Sequence, residues 1–137
     1  MKENLKNFEQ KRRSLYRQLE ELGDFRRGTI SVNYRKCGKK NCICYREGHP
    51  GHGPQYLWNT TIKGKSYAKN LKLGPELQKF DNETSNYRKH IELSGEIVKV
   101  NEKICDLRPV SEIKDKNELD GLKKKLQDLF MKKYKKK

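Results

Sequence analysis

Between Cys37 and His52 the chain gathers three cysteines and two histidines into sixteen residues, as Cys37-x4-Cys42-x-Cys44 and then His49-Pro50-Gly51-His52-Gly53-Pro54. The neighbours are mostly glycine, lysine and arginine, so the thiols are not there as core hydrophobes. Thiolate sulfur and imidazole nitrogen are the donors of a tetrahedral zinc site, at about 2.0–2.3 Å from the ion. A loop this short can close on one ion, and Gly38 is expected to supply the backbone freedom that tight cysteine spacing demands. Cys37, Cys42 and Cys44 are the expected thiolates, with His49 or His52 as the fourth donor. The spacing is not the paired CxxC knuckle of ordinary fingers. A disulfide framework would suit a secreted chain. The start, Met1-Lys2-Glu3-Asn4-Leu5-Lys6, lacks the apolar run of a signal peptide. The expectation is a cytoplasmic protein carrying a structural Zn2+.

Composition makes such a staple necessary. Only 32% of the 137 residues are hydrophobic, against 37% charged, and mean hydropathy is −1.16. Little apolar area is available for a core, and metal binding can contribute to folding directly. No stretch approaches the ~18 consecutive apolar residues of a membrane span.

Periodicity divides the chain into an amphipathic helix over 1–24, a basic β-module over 25–75, a long helix over 76–108 and a helical basic tail over 109–137. In the first helix, 2–22, Leu5, Phe8, Leu15, Leu19 and Leu22 follow a 3-4 spacing, broken only by Arg12 at the inner position. Gly23-Asp24 ends it. Ile30, Val32 and Tyr34 alternate with polar residues as in a half-buried strand. Residues 55–73 read as a hairpin turning at Lys63-Gly64-Lys65. Gly74-Pro75-Glu76 opens a helix of some thirty residues. One stripe on it runs Leu77, Phe80, Thr84, Tyr87, Ile91, Ser94, Val98; another runs Leu93, Ile97, Val100, Ile104, Leu107. Pro109 breaks it. The expected fold is α+β: a zinc-stapled three-stranded antiparallel β-unit between two helices that pack antiparallel as a stalk. Ile91 is expected in that seam. Cys105 is expected as a buried small hydrophobe and His90 as a solvated side chain. Leu119, Leu122, Leu126, Leu129 and Phe130 mark a last helix, which runs out into Lys132-Lys133-Tyr134-Lys135-Lys136-Lys137.

The runs Arg27-Gly28-Thr29-Ile30-Ser31-Val32, Tyr34-Arg35-Lys36-Cys37-Gly38-Lys39, Asn41-Cys42-x-Cys44 and His52-Gly53-Pro54-x-Tyr56 resemble a family of small uncharacterised bacterial and archaeal proteins. Its hallmark is RKCGK-x-NC-x-C followed by HGPY, then a short hairpin and a long helix. The resemblance spans residues 26–107, with its specific motifs in 27–58. It implies a small zinc-binding domain, His52 as the fourth ligand, and a setting beside mobile-element genes. Gln55 stands where the family tends to be aromatic, which leaves the metal ligands untouched.

Enzyme templates do not fit. Four donors already fill a tetrahedral ion, whereas a catalytic zinc keeps one position open beside a carboxylate base, and the only nearby acid is Glu47. There is no phosphate-binding glycine loop and no carboxylate triad. Charge points to a binding role instead. The chain carries a net +15, and residues 25–75 hold eleven Lys/Arg against one acid. Arg26, Arg27, Arg35, Lys36, Lys39, Lys40, Arg46, Lys63 and Lys65 are the expected nucleic-acid contacts. Tyr34, Tyr45, Tyr56 and Trp58 interleave with them, and aromatic faces can stack on exposed bases. The expected function is that of a non-enzymatic DNA-binding accessory or regulatory protein of a mobile element. RNA binding of the guide-RNA or ribosome-associated kind is the first alternative. A protein-interaction module docking to a larger enzyme, with a homodimer in view, is the second.

Overall fold

A computed structural model describes residues 4–135; Lys2 and Glu3 of the expected first helix and Lys136 and Lys137 of the basic tail lie outside them. The fold is α+β, as expected. Helix α1 (Leu5–Glu20) leads into a sheet of β1 (Thr29–Arg35), β2 (His52–Ile62) and β3 (Lys65–Leu71), which is followed by α2 (Pro75–Leu107) and α3 (Lys116–Tyr134). The sheet is antiparallel in the order β1-β2-β3. The chain divides into two compact units, one ending at Cys105 and the other beginning at Asp106. No described helix is long and apolar enough to cross a membrane.

Local chemistry sets these boundaries. The Asn4 side chain accepts from the Asn7 N–H at 2.9 Å and caps α1. Lys63 and Gly64 both take positive φ, 51° and 79°, the conformation that two-residue hairpin turns require. The Glu76 carboxylate accepts from the Lys72 N–H at 2.9 Å just ahead of α2. That helix stops at Leu107, since the residue before Pro109 is disfavoured in helical conformation. In the second unit Asp115 caps α3 through the Asn117 N–H, and α3 buries none of its residues.

Helix α2 serves two partners with two faces. Its first turns cover one side of the sheet: Phe80 and Thr84 are buried, and the Phe80 and Trp58 rings meet edge to face at 5.5 Å. Further along, Leu93, Ile97, Val100 and Ile104 form the core with Leu15, and Leu5, Phe8 and Leu19 pack against it. At 3.6 residues per turn these two faces lie roughly two-fifths of a turn apart. The helices run antiparallel: the Arg12 guanidinium donates to the Asn101 side-chain oxygen at 2.9 Å, and the Asn86 amide donates to the Asp24 carbonyl at 2.8 Å. Arg12, the break in the apolar stripe, thus has a polar partner facing it across the seam.

Several side chains depart from the sequence reading. Ile91 and Val98 are 52% and 54% exposed, because α1 takes the other face of α2. Ile97→Val should therefore lower stability by about 1 kcal/mol, and Ile91→Val should change nothing measurable in the denaturant midpoint. Cys105 is exposed; its neighbour Ile104 is the buried residue. His90 is not solvated but stacked on Phe25 at 4.7 Å. Val32 and Tyr34 remain exposed on β1, since α2 covers only part of that sheet face.

Glu83, which no periodicity marks, organises the joint between sheet and helix. It is buried, with one carboxylate oxygen 2.8 Å from Arg26 Nε and the other paired to Lys79. Arg26 also lies over the Phe80 and Trp58 rings, 3.8 and 5.2 Å from their centroids, and its N–H donates to the Glu83 carbonyl. The bond from Lys79 first, and the field of Arg26, hold the Glu83 carboxyl below its ordinary value of 4.5. A lowered carboxylate adds stability that is present above its unfolded value and lost as pH falls through the folded one. Glu83→Gln should therefore flatten the dependence of melting temperature on pH below about 4.5, the unfolded value.

Candidate metal centre

The sheet itself closes the metal loop. Arg35 at the end of β1 pairs with His52 at the start of β2, so the chain from Lys36 to Gly51 leaves and returns at one point. Cys37 stands two residues past that pairing and His52 is part of it. Between them the loop rolls through successive turns: Cys42 N–H to Lys39 O, Tyr45 N–H to Cys42 O, Arg46 N–H to Ile43 O and His49 N–H to Arg46 O, at 3.0–3.2 Å. A short 3₁₀ turn at Ile43–Tyr45 swings Cys42 and Cys44 back towards the mouth. The Tyr45 hydroxyl donates to the Cys37 carbonyl and ties the turn to the loop's start.

The result is a cluster of Cys37, Cys42, Cys44 and His52 whose donor atoms all lie within 4.8 Å of one another. Cys37 Sγ is 3.6 Å from Cys44 Sγ, and Cys42 Sγ is 3.0 Å from His52 Nε2. A tetrahedral ion with the usual bond lengths would set such edges at about 3.8 Å between sulfurs and about 3.5 Å between sulfur and nitrogen. The donors fit a single metal ion with small adjustment. Cys44 is fully buried, Cys37 and Cys42 are half-buried, and His52 is exposed.

Electrostatics divide the thiols. Cys42 is lowered to about 6, chiefly by a backbone hydrogen bond from Cys44 and next by the Cys37 side chain. Cys44 is raised, because burial disfavours its thiolate. A cation at the centre would reverse that penalty, as a coordinating thiol is deprotonated outright.

His49 lies outside the cluster. Its Nδ1 accepts the Gly51 N–H at 2.9 Å, and its ring centroid is 6.5 Å from that of His52. Backbone freedom is used at Gly51, not at Gly38. Gly51 has φ +105°, and a Cβ there would lie 2.9–3.0 Å from the Arg35 backbone. Gly38 has open space around it and no positive φ. The close approach of loop to strand, more than the cysteine spacing, is what demands glycine.

The nine basic residues expected to touch nucleic acid fall in four places. Arg35, Lys36, Lys39, Lys40 and Arg46 are exposed on the metal loop and its strand stem. Lys63 is in the hairpin turn and Lys65 just after it at the far end of β2, roughly 30 Å away at 3.3 Å per residue, and Arg27 is exposed just ahead of β1. Arg26 is turned towards Glu83 and the two rings, and shares that carboxylate with Lys79. Tyr34 and Tyr45 are exposed beside the loop, at 50% and 47%, with Lys36 Nζ 5.8 Å from the Tyr45 ring. Tyr56 and Trp58 are half-buried in the sheet, and the Trp58 indole donates to the Arg27 carbonyl.

Residues 5–78, more than half of the chain, match a family model described as a domain of unknown function, DUF6788. The match contains every motif residue of the metal loop, takes in α1 and ends in the first turn of α2. No curated protein and no solved structure matches the chain.

Proposed function

The chain belongs to the DUF6788 family, and we propose that this protein is a zinc-stapled nucleic-acid-binding module, non-enzymatic and favouring DNA. The observation that carries the reading is the metal loop: five exposed cations, Arg35, Lys36, Lys39, Lys40 and Arg46, on a loop whose conformation one ion would hold. None of them takes part in an ion pair among the described residues. Such concentrated like charge is self-repelling unless a polyanion meets it. Zinc suits the centre because three thiolates and one imidazole are a structural zinc donor set, and four donors complete its tetrahedron. A closed site of this kind is a staple and has no position for substrate. Free thiols of this sort belong in a reducing compartment, which makes the cytoplasm the natural location. A role as accessory or regulatory factor beside a mobile element's larger enzyme follows the same reading.

One observation favours a second version. Tyr34 and Tyr45 are about half exposed next to the cations, and aromatic rings beside cations can stack single-stranded bases, as RNA-binding surfaces do. Competition binding on the zinc-loaded protein separates the versions, using labelled duplex DNA against unlabelled duplex, single-stranded RNA and heparin. Duplex DNA is expected to displace best. RNA displacing best would favour the stacking version, heparin matching both would reduce the surface to charge alone, and no binding at 50 mM salt would overturn the proposal.

A further inference from the structure

Past the sheet, the covered face of α2 runs on uncovered. Ile91 and Val98, seven residues apart, are more than half exposed, with Ser94 and Gly95 between them and Tyr87 and Glu102 at the ends. The α1 seam uses Leu93, Ile97, Val100 and Ile104, so α1 leaves this stripe free. Gly95 is the telling residue. Glycine inside a helix costs about 1 kcal/mol relative to alanine, and a Cβ at Gly95 would meet nothing within 4 Å. No described residue crowds that position, whereas a second helix crossing close by would.

We infer that this stripe docks, antiparallel, on the same stripe of a second copy of the chain. A two-fold contact sets residue i against j and j against i. Ile91 opposite Val98 of the second copy brings Ser94 against Gly95 at the axis, where the missing side chain lets the backbones approach. In that register Arg88 comes near Glu102 and Glu92 near Lys99, each pair twice, along the rim. All four are exposed. A parallel, in-register pairing would instead put this charged flank of the two copies on opposite sides of the seam, where these four residues do not meet one another. Rim charges of this kind choose orientation more than they add strength. Two α1–α2 pairs then meet through α2 as a four-helix arrangement, over about 24 Å of helix from Tyr87 to Glu102 at 1.5 Å per residue.

Sedimentation equilibrium of the full, zinc-loaded chain tests this, with a phosphine reductant present so that the exposed Cys105 cannot cross-link. A dimer is expected in the micromolar range. Val98→Glu places a charge on an already exposed position, so helical signal and bound zinc should be kept while the dissociation constant rises at least tenfold. Glu92→Lys should weaken the dimer several-fold, and Glu92→Lys with Lys99→Glu should restore it, since the swapped pair meets again only in the antiparallel register. A monomer at every concentration, or a dimer indifferent to Val98→Glu, would overturn the inference. Failure of the double swap to rescue would overturn the antiparallel register.

Discussion

Serine in place of Cys42 is expected to reduce bound zinc from about one equivalent per chain to a small fraction of that, and to unfold the metal loop with it. Cys42 is the thiol nearest His52, 3.0 Å from its Nε2, so it joins the 3₁₀ turn to the start of β2. A serine hydroxyl does not ionise in this range and gives a poor soft donor, leaving three ligands on a mobile loop. Structural zinc in small finger peptides is worth about 10–16 kcal/mol of apparent binding energy, and loss of one thiolate removes a large share. No apolar reserve replaces it. Among the described residues the buried apolar side chains are Leu71 and Phe80 at the sheet and those of the α1–α2 seam, with Cys44 alone inside the loop. The seam does not depend on the metal, so most helical circular dichroism should survive while the near-ultraviolet signal of Tyr34 and Tyr45 is lost and that of Trp58, packed on Phe80, is kept. Metal analysis with the two spectra reads the outcome. Full zinc occupancy in Cys42→Ser would remove the cluster from consideration as the ligand set.

The ligand cluster was legible from sequence because donor chemistry depends on residue type and closeness along the chain, both of which a sequence displays. The hairpin was legible for the same reason: Lys63-Gly64 is a local signal. What stayed hidden depended on partners far away in sequence. A 3-4 repeat shows that α2 has apolar faces and not which one α1 takes, so Ile91 read as core although Ile97 fills that place. Arg26 looked like one more cation in a basic segment, yet Glu83 lies fifty-seven residues on and pairs with it. Cys105 read as buried on the strength of its residue type, and one position's rotation on the helix reversed that. The need for glycine at Gly51 comes from the Arg35 backbone across the strand pair. The choice of His52 over His49 needed the family resemblance, and the Gly51 N–H on His49 supplies its physical reason.

Charge reversal at Arg35 and Lys39 together should cut affinity for duplex DNA about a hundredfold at 50 mM salt. Each phosphate contact contributes about 0.9 to the slope of log K against log[salt], so losing two flattens it by about 1.8. At 50 mM, each 0.9 of slope corresponds to about one decade of affinity. Both side chains are exposed, so bound zinc and melting temperature should hold steady, which separates a binding defect from a folding one. Arg26→Glu should behave in the opposite way. It would set a carboxylate against Glu83 over the Phe80 ring, and like charges half-buried together cost stability whether or not DNA is present. Removal of residues 132–137 should weaken every sequence alike and only several-fold, because lysines in the last turn of an exposed helix and just after it add attraction to any phosphate chain without reading a base. These three responses rest on one distinction: Arg35 and Lys39 sit on and beside a loop that an ion would close, Arg26 is packed against Glu83, and the lysines after Met131 lie in and just after a separate helix that buries none of its residues. If tail removal abolished binding while the loop reversal left it intact, the fixed loop would have no nucleic-acid role. The zinc module would then be the structural support of a protein-docking unit.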